Sequence, residues 1–548
     1  MESAILALDQ GTTNTKAALI NAQGRVVARG QAPVPIYYPK PGWVEQNPEE
    51  LWQSARTAVA ACLQERPMPV SAIGISNQRE SFLAWSAHDG RAVAPCITWQ
   101  CRRSADFCAQ IRGTGAEPMV RAKTGLPVDP LFSAGKARWL SERASCAPAD
   151  LRMGTVDSWL LWKLTGGRVH ACDESNASRT QLFNIREGRW DDELCALFHV
   201  PRAALPHVLP SDAEFGTVSN APPFPDAPVR AMMGDSHAAL LGHGITAPGA
   251  AKATYGTGSS LMALLPEFRP SESGMTTTIA WHLGGQRAHA LEGNISVCAS
   301  ALPWAAQWLG LNGDPARLAA LAQTAEDSAG VFFIPALVGL GAPHWNAGAR
   351  GLICGLSFNT GPEHLARAVM ESIAFQVCDV FEAMEKMSPV PLEALYADGG
   401  PSNNKWLMQL QANFLGLPVR SRKMPDASAL GVAVAAGAAT GLWRDQGLSA
   451  TLPRESTEFV PAMPPRRQYG VQRTGHAPTA AIRNPGDRPR PHGGHTEPTG
   501  PTTPSRQPYK AQETGHTPRA AILGQGVCPR LHGGHPGPRR SATPSRRS

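Results

Sequence analysis

Asp9-Gln10-Gly11-Thr12-Thr13-Asn14-Thr15-Lys16 joins the apolar run Ala4-Ile5-Leu6-Ala7-Leu8 to a second run, Ala17-Ala18-Leu19-Ile20. The first run reads as a buried strand and the second as its hairpin partner. The turn between them carries a carboxylate, a glycine, hydroxyl and amide side chains, and a closing lysine. Backbone N–H groups at such a turn, helped by threonine hydroxyls, can cradle phosphate oxygens. A carboxylate beside them suits Mg²⁺, which takes oxygen ligands and keeps several of its waters. Taken alone, the segment fits an ordinary polar β-turn equally well.

Two later stretches add to it. Thr254-Tyr255-Gly256-Thr257-Gly258-Ser259-Ser260 precedes the apolar run Leu261-Met262-Ala263-Leu264-Leu265, and Ala394-Leu395-Tyr396-Ala397-Asp398-Gly399-Gly400-Pro401-Ser402-Asn403-Asn404 reads as a strand ending in a glycine pair. One early turn and two late ones suit a nucleotide gripped between two halves of a chain. None is a Walker loop, because Gly135-Lys136 lacks both the upstream glycine and the following Ser or Thr. No G-x-G-x-x-G opens a helix after the first strand, so a dinucleotide fold loses its main support.

These turns resemble the phosphate and adenosine loops of the actin, hexokinase and heat-shock chaperone ATPase superfamily. Within it the chain is similar to the FGGY carbohydrate kinases, glycerol kinases most closely. The resemblance runs in order through Tyr38-Pro39-Lys40-Pro41-Gly42-Trp43-Val44-Glu45-Gln46-Asn47-Pro48, Ile75-Ser76-Asn77-Gln78-Arg79-Glu80 and Thr98-Trp99-Gln100-Cys101-Arg102-Arg103. It continues through Gly154-Thr155-Val156-Asp157-Ser158-Trp159-Leu160, Asn176-Ala177-Ser178-Arg179-Thr180 and Gly339-Leu340-Gly341-Ala342-Pro343-His344-Trp345, and ends near residue 463. It implies an α/β fold of two actin/hexokinase-like (ribonuclease H-like) domains with a cleft between them. The first is expected over 1–229, with the first phosphate loop and the polyol site. The second is expected over 230–463, with the catalytic aspartate, the second phosphate loop and the adenosine site.

The resemblance also assigns roles. Phosphoryl transfer needs in-line positioning, charge neutralisation and a proton acceptor. Asp235, in Met232-Met233-Gly234-Asp235-Ser236-His237, matches the family's catalytic base; without the family it would read as a helix N-cap. Asp9 matches the Mg²⁺-associated carboxylate, Thr12, Thr13, Asn14, Lys16 and Thr257 the phosphate contacts, and Gly400 and Asn404 the adenosine side. Lys16 stands where glycerol kinases commonly carry arginine, which keeps the charge and loses the bidentate fork. Arg79 and Glu80 match the pair that holds a polyol's hydroxyls, a surface ion pair being the plainer alternative. Trp99 matches the aromatic wall against the carbon backbone, with a core tryptophan as its alternative. Three positions depart: Leu131 replaces a tyrosine, Ser236 a glutamine and Ser260 a phenylalanine. Losing a hydroxyl and an amide costs ~1–3 kcal/mol each in a site built to bond hydroxyls, and serine for phenylalanine opens volume. The expected activity is ATP- and Mg²⁺-dependent phosphorylation of a primary hydroxyl of glycerol. Another small polyol or ketose, such as erythritol or xylulose, is the alternative acceptor. A catalytically degenerate nucleotide-binding protein is the alternative of another class.

Composition fits a large enzyme. A chain of 548 residues exceeds one compact core. No apolar run reaches the ~18 residues of a membrane span. Eleven scattered cysteines without a C-x-x-C pair point to a reducing cytoplasm. From Pro464 onward 13 Arg and one Lys face Asp487, Glu497 and Glu513, a net of +11, so the rest of the chain carries −4 of the overall +7. That tail, 464–548, repeats itself at a spacing of 40 residues, with His492-Gly493-Gly494-His495 returning as His532-Gly533-Gly534-His535. Too few apolar residues remain there to offset ordering entropy, so it reads as disordered. Its histidines and arginines could take a metal or nucleic acid, against the plainer reading of a translated repeat without a role. No nucleic acid is expected for the kinase-like body, no membrane for the chain, and a homodimer or homotetramer follows from the resemblance alone.

The remaining expectations are structural. Ala4–Leu8, Lys16–Ile20 and Val26–Gly30 should form a meander, Pro48–Gln64 a helix and Ala72–Ser76 a returning strand. Arg230–Met233 should open a similar order in the second half, with helices at 296–310, 315–326, Pro362–Met387 and Ala427–Leu442.

Overall fold

The computed structural model describes residues 3–270, 272, 274–422, 424, 426–443 and 456–462. The basic tail with its repeat and His-x-x-His clusters lies outside the described residues. The first sheet is built from β1 (Ala4–Gln10), β2 (Asn14–Asn21), β3 (Val26–Pro33), β4 (Val70–Asn77), β5 (Gly216–Thr217) and β6 (Pro228–Gly234), in the order β5-β6-β4-β1-β2-β3. β1, β2 and β3 form the expected antiparallel meander, and β4 and β6 run parallel to β1. The second sheet repeats that plan. β7 (Ala250–Tyr255), β8 (Ser259–Leu265), β10 (Gln286–Ile295), β11 (Ala394–Asp398) and β12 (Val419–Arg422) are joined by β9 (Thr276–Leu283) and β13 (Ser456–Phe459) in the order β9-β10-β8-β7-β11-β12-β13. Two sheets of one topology, each flanked by helices, are the two-domain actin/hexokinase-like arrangement.

One expectation needs correcting. The strand around Arg230–Met233 does not open the second half; it is the middle of β6, hydrogen-bonded to β4 from Val229↔Ile73 to Gly234↔Asn77. A boundary at 229/230 therefore cuts a buried strand of the first sheet. Strand allegiance is set by a partner some 150 residues away, which local pattern does not encode.

Helices close both sheets. α1 (Pro48–Glu65) begins with Asn47, whose side chain accepts from the Glu49 amide, and with proline in its first turn. It buries Leu51, Ala55, Ala58, Val59 and Cys62. Gly30 lets it lie on β3, since a Cβ there would sit 2.0 Å from the Ala58 carbonyl oxygen. α2 (Asp235–Gly242) follows β6 directly, and α3 (Pro362–Met387) has the bounds the sequence implies. The expected helix at 296–310 is realised over Ala301–Trp308, and that at 315–326 over Pro315–Ala322. α4 (Lys405–Leu415) precedes β12.

α5 (Ala427–Ala439) is the helix that joins the halves. It packs on α2 through glycine-to-backbone approaches: a Cβ on Gly431 would lie 1.7 Å from the Ala238 carbonyl oxygen, and one on Gly242 2.1 Å from that of Ala427. A shared apolar cluster takes Ile5, Ala7 and Ile20 from the first sheet, Met262 and Leu264 from the second, and Val432, Ala433 and Ala436 from α5. The small-residue run thus serves contact between helix backbones, which only residues without bulk allow.

Candidate active site

The early turn sits at the C-terminal end of β1. Asp9 pairs with Lys16 across the hairpin, and the Gly11 amide donates to the Asn14 carbonyl at 3.0 Å. The Thr12 carbonyl accepts from Gln46 Nε2 at 2.6 Å, and the Thr12 hydroxyl oxygen accepts from the Trp99 indole at 3.0 Å. Gln78 bridges Gln46 (2.8 Å) and Ser81 (2.9 Å), and Ser81 Oγ accepts the Trp99 amide at 3.1 Å. The Asp9–Lys16 turn and Trp99 therefore belong to one hydrogen-bonded assembly. Thr13 and Asn14 are exposed at its tip. Asp9 accepts from Ser76 Oγ at 2.9 Å. Burial pushes its carboxyl up to about 6, nearby Asp235 adds to the rise, and Lys16 and Ser76 oppose it.

That electrostatics fits a divalent cation. The carboxylates of Asp9 on β1 and Asp235 on α2 repel each other, and Mg²⁺ is commonly held by one or two carboxylates with phosphate and water completing its shell. Among the described residues no group of three or more His, Cys, Asp or Glu forms a cage of protein ligands. Asp9 would be the protein's contribution.

Asp235 opens α2. Its Oδ1 accepts from the Ser236 amide at 2.6 Å, its carbonyl accepts from Ser428 Oγ at 3.0 Å, and its side chain is 36% exposed. Arg79 Nε lies 3.1 Å from Asp235 Oδ1, and Arg79 Nη1 lies 2.7 Å from Glu292 Oε1. Gly234 makes this approach possible, since a Cβ there would be 2.7 Å from Arg79 Cγ and Cδ. Arg79 and Glu80 are buried, at 7% and 4% exposure, which rules out the surface ion pair. They are held by different partners: Glu80 Oε1 accepts from Arg179 Nε at 2.6 Å, and Arg179 Nη1 reaches Glu292 Oε2 at 2.7 Å. Burial alone would lower the Arg79 guanidinium's pKa, but Glu292, Glu80 and Asp235 raise it. Burial would likewise raise Glu292, yet Arg179 and Arg79 hold it down to about 2.

Glu80 adopts φ +61°, a left-handed conformation that is costly for a side chain with a Cβ and recurs at functional sites. Its carbonyl is pinned there by Ser133 Oγ (3.1 Å) and Lys136 Nζ (3.0 Å). Lys136 also donates to the Leu131 carbonyl at 2.5 Å, and burial brings its ammonium down to about 8. The lysine of the Gly135-Lys136 pair, which is no Walker loop, thus clamps the Glu80 and Leu131 backbones together. Ser260 is engaged as well: its hydroxyl donates to Glu292 Oε1 at 3.0 Å. Arg179, Glu292 and Lys136 contact the candidate residues directly, and sequence reading did not single them out. Glu292 carried a signal, an acid within the apolar strand Ala290-Leu291-Glu292-Gly293.

The second-half turns form a group of their own. Thr257 is exposed at the tip of the β7–β8 hairpin, and its carbonyl accepts from the Cys298 amide (2.9 Å) and Ser300 Oγ (2.8 Å). Gly399, at φ +90°, brings the end of β11 against β7; a Cβ there would be 2.0 Å from the Tyr255 carbonyl oxygen. Gly400 faces open space. Asn404 caps α4 by accepting from the Leu407 amide at 3.1 Å, so its oxygen is committed to the helix. Beneath these turns, buried Asp398 meets His243 Nε2 at 2.5 Å, and buried Lys252 donates to Thr254 Oγ1 at 2.7 Å. His243 terminates α2, so the aspartate helix and the β11 glycine loop are tied together.

Comparison with known proteins agrees with this geometry. The N-terminal domain model of the FGGY family of carbohydrate kinases matches residues 4–242, and the C-terminal domain model matches 251–440. The chain is 45% identical over 469 residues to a glycerol kinase of Symbiobacterium thermophilum, covering 84% of this chain and 94% of that protein. It is 44% identical over 467 residues to an apulose kinase of Pectobacterium atrosepticum, with the same coverage. Among solved structures, a Plasmodium falciparum glycerol kinase with ADP superposes with TM-score 0.78 at 29% identity, over 84% of this chain and 94% of that one. With both domain models matched in order, the chain belongs to the FGGY family of carbohydrate kinases and is an ATP-dependent phosphotransferase.

Proposed function

We propose that this kinase phosphorylates a primary hydroxyl of glycerol, giving glycerol 3-phosphate and ADP. The observation that carries the reading is the accessible Asp235 carboxylate, held beside Arg79 and close enough to Asp9 for its charge to raise that carboxyl. The acceptor hydroxyl gives its proton to Asp235 as its oxygen attacks the γ-phosphorus in line, and the bond to the β,γ-bridging oxygen breaks. Thr12, Thr13, Asn14 and Lys16 hold the phosphates from one half and Thr257 from the other. Gly400 and the amide NH₂ of Asn404 line the adenosine side. Arg79 and Glu80 take the remaining hydroxyls and Trp99 walls the carbon chain. Mg²⁺ bound at Asp9 supplies neutralisation of phosphate charge. The functional division falls after α2, so that Asp235 sits at the junction of the two halves.

A second reading is a larger polyol or ketose. Leu131 and Ser236 supply fewer side-chain partners for glycerol, and an apulose kinase is as similar to this chain as glycerol kinases are. An ADP-release assay with ATP·Mg²⁺ against glycerol, dihydroxyacetone, erythritol, xylulose, ribulose and apulose decides between them. Glycerol is expected to give the highest kcat/KM; a four- or five-carbon winner would make Leu131, Ser236 and Ser260 specificity determinants and sink the glycerol reading.

The raised Asp9 carboxyl yields a pH prediction. The group loses its proton near pH 6 in the folded protein, against 3.8 ordinarily. Since Mg²⁺ needs the carboxylate, apparent Mg²⁺ affinity should weaken as pH falls through about 6. The same shift makes the folded state hold more protons than the unfolded chain between about 4 and 6, so this residue's contribution to stability declines as pH rises across that window. Titrating Mg²⁺ dependence of turnover at pH 5.5, 6.5 and 7.5 checks the first statement; an Asp9→Asn variant should respond equally at all three.

A further inference from the structure

Five charged side chains alternate in sign across the acceptor floor: Asp235, Arg79, Glu292, Arg179 and Glu80, joined by N–O distances of 3.1, 2.7, 2.7 and 2.6 Å. Both ends reach the groups assigned to acceptor chemistry. The centre does not: Glu292 is fully buried on β10, with its backbone carbonyl bonded by Thr276 Oγ1 at 3.0 Å. The chain of charges also crosses the molecule. Arg79, Glu80 and Arg179 belong to the first half, whereas Glu292, Thr276 and Ser260 belong to the second sheet.

We propose that Glu292 is the positioning residue of the acceptor site, holding Arg79 and, through Arg179, Glu80 in the relative placement that reads two hydroxyls of one acceptor. Ser260 tunes that grip from the pocket wall. A guanidinium held at Nε by the Asp235 carboxylate and paired at Nη1 with that of Glu292 is restrained from two sides. Removing Glu292 leaves two buried arginines without their common counter-ion, and Arg79 is then drawn onto Asp235 alone. Stability does not account for such an array, because buried ion pairs are often no better than apolar packing. Placement accounts for it, because Glu80 sits in a costly backbone conformation that its surroundings must hold.

The inference rests on the kinase reading for its kinetic consequence but not for its structural one, and the test uses both. Hydrogen–deuterium exchange of full-length Glu292→Gln should show faster exchange across 76–82 and 176–181, with the β11 loop unchanged. This readout needs no acceptor. With the acceptor that wins the panel on the parent enzyme, Glu292→Gln should raise acceptor KM by about tenfold to a hundredfold, the worth of one hydrogen bond to a charged group, and leave the ATP KM within about twofold. Ser260→Ala, which removes only the hydroxyl, should raise acceptor KM in the same direction by a smaller factor and covers the case in which the glutamine variant does not fold. Unchanged exchange at 76–82, or acceptor and ATP KM moving together, overturns the proposal. So does an unaltered acceptor KM in a folded Glu292→Gln, or in Ser260→Ala where the glutamine variant does not fold. A change of preferred acceptor in the parent enzyme overturns only the glycerol reading.

Discussion

Asp235→Asn should lower kcat by about 10²–10⁴, the usual worth of a positioned general base, while ATP binding stays intact. Asparagine keeps the size of the side chain and can still accept the Ser236 amide at the start of α2, so the helix keeps its first-turn partner. What it loses is the capacity to take a proton. Arg79 remains held by Glu292, so acceptor placement is preserved and the loss falls on the chemical step. Steady-state ADP release together with calorimetric titration of ATP separates the two effects. A variant within tenfold of the parent kcat would remove Asp235 from the reaction.

Gly431→Ala should be among the most damaging single-methyl changes available. In an exposed helix, alanine for glycine stabilises by ~1 kcal/mol. Here the added carbon would lie 1.7 Å from the Ala238 carbonyl oxygen and 2.9 Å from the Gly242 nitrogen, both backbone atoms of α2. Neither can swing aside, so α5 must lift off α2 and the apolar cluster beneath it opens. Overpacking of this kind costs ~1–3 kcal/mol and more where backbone must move, which outweighs the propensity gain. Because α2 carries Asp235, kcat should fall along with the thermal midpoint. Gly400→Ala is the control, since a Cβ there meets nothing within 4 Å, and its midpoint should not move. Equal midpoints for the two variants would refute the close-contact account.

Features with local period were legible in the sequence. β1 and β2 are short apolar runs buried nearly throughout, α1 buries a stripe at helical spacing behind its Asn47 cap, and α3 opens on a proline. Family motifs single out Asp9, Arg79, Glu80, Trp99 and Asp235 as candidates, and the structure puts Arg79 against Asp235, Asp235 within electrostatic reach of Asp9, and Trp99 on the Thr12 hydroxyl. Their pairings were not legible. Arg179 meets Glu80 from 99 residues away and Arg79 meets Asp235 from 156, and no spacing rule anticipates a contact made by the folding of two sheets. For the same reason Arg79 and Glu80, neighbours in the chain, suggested each other as partners and found others. β6 was assigned to the wrong half because an apolar strand states that it is buried, not in which sheet. Lys136 was dismissed with a failed phosphate motif, although a lysine between apolar and small residues is itself a request for buried acceptors.

The crossing of α5 onto the first sheet has a consequence for how the protein is made. β1, β4 and β6 leave the ribosome early, but one face of their sheet is covered by Val432, Ala433 and Ala436. Everything from α2 to α5 must be synthesised before that cover exists, and at ~5–20 residues per second the wait is on the order of tens of seconds. During it, Ile5, Ala7, Ile20 and Met233 lack the α5 and second-sheet part of their cover. The first half is therefore expected to complete its apolar cover only when α5 arrives, and a chain cut short of Ala439 should aggregate where the full chain does not.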